Sequence, residues 1–151
     1  MICKRIKTYQ KESSNPKMTL VDKSRGSGKS KFILENKSRG TYYALNFEKD
    51  VYQGNAIDTK CDFGLKIENE KVKTIYFIEL KGTDVNKGIE QLLATLEDTQ
   101  KCFKGFEKKA RLVVSRFPKP ELTYRTRAYK DLVRKTKKEI IIKQHQIVEV
   151  I

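Results

Sequence analysis

The chain has 151 residues, enough for one domain around one core. It carries 33 Lys+Arg against 19 Asp+Glu, a net charge of +14, with one histidine and three widely spaced cysteines. Those counts exclude a zinc ribbon, a two-histidine ribonuclease and a His-Glu-x-x-His protease, and they argue against a disulfide scaffold.

The charge is uneven. Residues 1–40 hold eleven basic and three acidic residues, net +8; residues 41–100 hold seven and eleven, net −4; residues 101–151 hold fifteen and five, net +10. An acidic middle between basic ends fits a metal centre set in a polyanion-binding surface. Cys3, Cys61 and Cys102 read as reduced residues of a cytoplasmic protein. No apolar run is long enough to span a membrane, and no apolar h-region follows Met1-Ile2-Cys3-Lys4-Arg5.

In chain order, residues 1–30 read as a basic, turn-rich segment preceding an α/β domain over 31–151, the whole forming a single domain. Turn signals lie at Ser13-Ser14-Asn15-Pro16 and Ser24-Arg25-Gly26-Ser27-Gly28. Met18–Val21 is strand-like. Lys31–Glu35 and Thr41–Phe47 read as two strands around a turn at Ser38-Arg39-Gly40. Residues 48–60 read as loop. From Asp62 to Glu68 the pattern alternates, with Phe63, Leu65 and Ile67 on one face. Residues 74–81 form the next strand, with Tyr76, Ile78 and Leu80 on one face and Ile75, Phe77, Glu79 and Lys81 on the other. If the apolar sets pack together, the parity of the hairpin puts Asp62 on the face of Glu79. Directly paired positions lie about 5 Å apart at Cβ, so the two carboxylates could share one cation.

Residues 86–103 predict a helix with the stripe Ile89, Leu92, Leu93, Leu96 and Phe103, capped by Thr83 or Asp84. A strand over 110–117 follows, parallel to 74–81, and is stopped at Phe117-Pro118-Lys119-Pro120. A second helix is expected over 123–137 and a last strand over 139–151. The predicted architecture is α/β, a mixed central sheet with flanking helices.

Glu79 and Lys81 are the only charges in an otherwise apolar strand, and burying charge is costly unless it is paired or bound to a metal. Two carboxylates and a lysine in this arrangement suit metal-assisted cleavage of a phosphodiester. Asp62 on one strand and Glu79-Leu80-Lys81 on the next resemble the PD-(D/E)XK nuclease superfamily, which has a restriction-endonuclease-like fold. Gln91, in Ile89-Glu90-Gln91-Leu92-Leu93, resembles the subset with a glutamine on the first turns of the following helix. The resemblance spans residues 61–117 and implies an endonuclease. In it, Asp62, Glu79 and the Leu80 carbonyl hold Mg2+ or Mn2+, Lys81 positions the water, and Gln91 orients the water or Lys81. A further acidic residue has three candidates: Glu35, Glu48 and Asp58. Asp58 also rivals Asp62.

The expected partner is nucleic acid, DNA in preference to RNA. Phosphate contacts are expected from Arg25 and Lys29 in the N-terminal loop, Arg39 in the turn, and Arg125, Arg127, Lys130 and Arg134 on the second helix. A homodimer is compatible with the sequence. Gly26-Ser27-Gly28-Lys29-Ser30 imitates the end of a P-loop, but Lys23 stands where that motif needs its first glycine, so no ATP site is expected. Two other readings stay open: a catalytically silent nucleic-acid-binding protein of the same fold, and a metal-dependent ribonuclease.

Overall fold

The computed structural model describes residues 1–21, 30–55 and 59–151. Its centre is the hairpin that the alternating apolar residues predict: β5 (Phe63–Glu68) pairs antiparallel with β6 (Lys73–Leu80). The connecting turn is fixed by Asn69 Oδ1, which accepts the N–H groups of Lys71 and Val72, both at 2.8 Å. Beyond β6 the chain crosses through helix α2 (Val85–Asp98) to β7 (Glu107–Val114), parallel to β6. It crosses again through the short α3 (Pro120–Tyr124) and α4 (Arg127–Lys135) to β8 (Ile140–Gln144), parallel to β7. On the other side, β4 (Tyr42–Asn46) pairs with β5, and β1 (Lys11–Ser13) pairs with β4, both antiparallel. The result is a six-stranded mixed sheet in the order β1-β4-β5-β6-β7-β8. The α/β class and the mixed sheet therefore match the sequence reading.

A second sheet of three strands, β2 (Lys17–Val21), β3 (Lys31–Glu35) and β9 (Gln146–Val150), covers one face of the first. Phe32, Leu34 and Ile147 of the small sheet pack with Leu65, Tyr76, Ile78, Leu80 and Val113 of the large one. Helices cover the other face, where Ile89, Leu92, Leu96 and Leu132 pack on Ile75, Phe77 and Leu112. The layers are thus helix, sheet, sheet, and helices flank the central sheet on one side only. Arg111, 2% exposed, ties the two sheets together: it meets Glu149 of β9 at 2.6 Å and Glu139 at 3.3 Å.

Several boundaries differ from the pattern. Helix α1 (Ile2–Tyr9) occupies part of the segment read as turn-rich, and its Ile6 is buried in the core. β3 and β4 form as predicted but enter different sheets. A π-helical turn, Phe47–Val51, fills the start of the expected loop. Helix α2 ends at Asp98, although Phe103 is still buried beyond it. The expected helix over 123–137 is two helices, because Thr126 is extended and caps α4 by accepting the Tyr129 N–H at 3.2 Å. The expected last strand breaks at His145, whose φ of 71° turns the chain from the large sheet to the small one.

The expectation of three reduced cysteines is overturned for two of them. Cys3 and Cys102 form a disulfide across a sequence separation of 99, their Cα atoms 5.2 Å apart. The bridge ties α1 to the turn that follows α2. Cys61 is a buried free thiol, and burial pushes it well above its usual pKa, so it stays neutral. Among the described residues, no helix is long and apolar enough to cross a membrane.

Candidate active site

Asp62 stands immediately before β5, and Glu79 is the penultimate residue of β6. The register pairs Phe63 with Ile78, and one step further sets Asp62 opposite Glu79. The parity follows from packing. Phe63, Leu65, Tyr76, Ile78 and Leu80 belong to the core under the small sheet. Ile75 and Phe77, which share the face of Glu79, belong to the core under the helices.

The two carboxylates are latched to each other's backbone. Asp62 N–H donates to Glu79 Oε1 at 2.9 Å, and Leu80 N–H donates to Asp62 Oδ2 at 3.0 Å. Hydrogen bonds to ionised acceptors are about twice as strong as neutral ones, so this pair fixes both side chains. Glu79 Oε2 faces Lys81 Nζ at 3.7 Å, with the two side chains 2% and 11% exposed. Lys81 N–H donates to Val113 C=O of β7. Backbone alternation then directs the Leu80 N–H and C=O to the β5 side, where the N–H meets Asp62. Asp62, Glu79 and the Leu80 carbonyl thus present hard oxygen donors at one end of the hairpin.

Helix α2 forms the wall beside them. Gly88 allows the close approach: a Cβ there would stand 2.9 Å from Leu112 Cδ1 and 3.7 Å from Glu79 Cγ. Thr95 lies on the same helix face, accepts the Cys61 N–H at 2.8 Å, and donates to the Gln91 C=O at 2.9 Å. Gln91 is bracketed between these two contacts. It is 4% exposed, and its Oε1 has no hydrogen-bond partner among the described residues. An unpaired buried amide oxygen costs about 1–3 kcal/mol, which a ligand at the site would offset. The donor set therefore suits a hard divalent cation. The acidic part is only the Asp62–Glu79 pair: among the described residues, no group of three or more His, Cys, Asp or Glu is arranged to hold a metal.

The structure brings together Asp62, Glu79, Leu80 and Lys81, sets Gln91 between Gly88 and Thr95 on the helix face beside them, and separates several other candidates from them. Of the further acids, Glu48 lines a cleft together with Asp62, and its N–H reaches the Asp62 C=O at 3.4 Å. Glu35 ends β3 at the side away from Ser30, beside Lys37, and Asp58 lies outside the described residues. Ser30 Oγ donates to the Lys81 C=O at 3.0 Å, which anchors the start of β3 at the site. A strand follows Ser30 where a P-loop needs a helix.

Among the expected phosphate contacts, Arg25 and Lys29 also lie outside the described residues. Arg39 is exposed but sits past the far end of β3, about 16 Å of strand from Ser30. Arg125, Arg127 and Lys130 are exposed near the start of α2, because Thr123 Oγ1 donates to Asn86 Oδ1 at 2.7 Å. Arg134 is farther along α4 and meets Asp131 at 3.5 Å. Sequence reasoning missed Gly88, Thr95 and Ser30. Only Gly88 carried a signal, as an isolated glycine within a helical stripe. No protein-family model, curated protein or solved structure matches the chain.

Proposed function

We propose that the chain is a divalent-metal-dependent nuclease that hydrolyses phosphodiester bonds, with DNA as the favoured substrate and a restriction-endonuclease-like site. The observation that carries this reading is the pairing of Asp62 with Glu79, each held by the other's strand, with Lys81 on Glu79. Mg2+ or Mn2+, when bound, supplies polarisation of the phosphate and a water of lowered pKa. Asp62, Glu79 and the Leu80 carbonyl are the residues to hold it. Lys81 places its ammonium beside the same carboxylate, where it orients water and offsets the charge that develops on the phosphate. Gln91, midway along α2, holds a buried amide oxygen with no partner among the described residues, suited to orienting a water or the lysine. Arg125, Arg127 and Lys130 line the same end of the molecule and supply phosphate contacts.

The net charge of +14 also supports a silent binding protein, since phosphate contacts need no catalysis. A cytoplasmic site of action suits a nucleic-acid substrate; the Cys3–Cys102 bridge, of a kind rare in reducing compartments, weighs against it. The test is incubation with supercoiled, linear, branched and single-stranded DNA, and with RNA, in Mg2+, Mn2+ or EDTA. The reading expects metal-dependent cleavage that EDTA abolishes. Binding without cleavage of any substrate leaves the silent protein.

A further inference from the structure

The free edge of the small sheet opens onto a cleft that the proposed chemistry leaves unused. Among the described residues, β2 pairs with β3 alone. Asn36 N–H donates to the Pro16 C=O at 2.8 Å, while Lys31 N–H turns away from β2 to the His145 C=O at 2.9 Å. Even-numbered residues of β2 therefore bond to β3, with Met18 opposite Leu34 and Leu20 opposite Phe32. Alternation sends the N–H and C=O groups of Thr19 and Val21 to the edge that has no strand partner among the described residues.

That edge lines a cleft of about 710 Å³. Leu20 and Phe63, at the margin of the inner core, give it an apolar wall. Gln53 adds a polar group, and Asp62 of the candidate site stands in the same lining. The volume is in the range of about 300–1,000 Å³ that holds a small ligand. It accommodates an unstacked nucleotide but not a duplex, whose bases are stacked and paired inward of the backbone.

We propose that this cleft receives one unstacked base of the strand being cut, so that the substrate is single-stranded or locally opened nucleic acid. The inference rests on the nuclease reading of Asp62, Glu79 and Lys81. An apolar wall suits the face of a base, and free backbone donors and acceptors suit its edge. Asp62 in the lining places the adjoining phosphate at the site. The same edge could take up an extended peptide, but the chain's net charge of +14 favours a polyanion, and a peptide gives no reason for the cleft to reach Asp62.

The experiment uses fluorescence anisotropy of the wild-type protein in EDTA. The probes are a short labelled DNA strand, its duplex, and an abasic strand of equal length. All three carry phosphates, so the abasic strand isolates the base term. The single strand should bind at least about tenfold more tightly than the other two, the order of loss when one base contact is removed. Leu20→Ala and Gln53→Ala should lower that preference and leave duplex affinity unchanged. Should Leu20→Ala fail to fold, the abasic comparison on wild type still decides. Equal affinity for the intact and abasic strands, or a preference for the duplex, overturns the inference even if Mg2+-dependent cleavage is found. A clear strand preference with no cleavage of any substrate overturns the nuclease reading instead and leaves the cleft as a base-binding site.

Discussion

Breaking the Cys3–Cys102 bridge should cost more stability than losing any single contact in the core. The bridge spans a sequence separation of 99. In the chain-entropy account, a loop of that length restrains the unfolded chain by about 4–5 kcal/mol. A domain has only about 5–15 kcal/mol in total. At about 2–4 °C per kcal/mol for a chain of this size, the double variant Cys3→Ser/Cys102→Ser should melt roughly 10–20 °C lower. The structure also says where the loss spreads. Cys3 lies on α1, which holds the π-helical turn: Arg5 Nη1 donates to the Val51 C=O at 3.5 Å, and Gln53 Nε2 donates to Tyr9 Oη at 3.3 Å. Residues 47–53 should exchange amide hydrogens faster in the variant than β6 and β7. The assay is urea unfolding of the oxidised protein, the dithiol-reduced protein and the variant, with free thiols counted in each. Three free thiols in the untreated protein would refute the bridge itself. One free thiol together with an unchanged urea midpoint on reduction would refute the loop-entropy reasoning.

Three further outcomes follow from particular side chains. Gln91→Met replaces a buried amide, whose oxygen has no partner among the described residues, with an apolar group of similar length, so it should raise stability by about 1 kcal/mol and lower metal-dependent cleavage; a destabilised, fully active variant would show that the amide is structural. Gly64→Ala would set a Cβ 2.5 Å from Phe47 Cε2, on a ring that is fully buried and stacked on Phe77, and should cost about 1–3 kcal/mol in urea unfolding; an unchanged midpoint would mean that the ring has room to move. Burial, and then the carboxylates of Asp98 and Glu149, raise Tyr52 and Tyr76 above the usual 10.0. Above that pH the unfolded chain gives up phenolic protons that the folded protein keeps, so stability present below it should fall as pH rises. Tyr52→Phe should flatten that fall, and an identical profile would contradict the assignment.

The hairpin was legible because one physical demand fixes it. Phe63, Leu65 and Ile67 must face the same core as Tyr76, Ile78 and Leu80, and a slip of one residue would expose them all. That demand sets Asp62 on the face of Glu79, and the short turn at Asn69 then sets the two directly opposite. The strand-helix-strand crossing through α2 was legible from its apolar stripe and from Asp84, whose side chain does cap the helix by accepting the Lys87 N–H at 3.1 Å. The second sheet was not. β3 and β9 are parallel strands brought together from opposite ends of the chain, and no local pattern encodes such a pairing. The turn at His145 was hidden for a related reason: apolar residues continue on both sides of it, and only the choice between two sheets requires the break. Helix α1 is short and basic, and it depends on burial of Ile6 and on the bridge at Cys3 rather than on its own propensity.

The most direct measurement of the central claim compares wild type with Glu79→Gln on one DNA substrate in Mg2+, with binding and turnover read from the same samples. Glutamine keeps the length of the side chain and an oxygen to accept the Asp62 N–H, so the fold should survive where a truncation would leave that donor buried and unpaired. It removes the charge that a cation needs and that Lys81 faces. The account predicts a folded protein, retained binding and cleavage reduced by more than about 100-fold, the upper end for residues that only support a metal ligand. Cleavage by Glu79→Gln at the wild-type rate would contradict it.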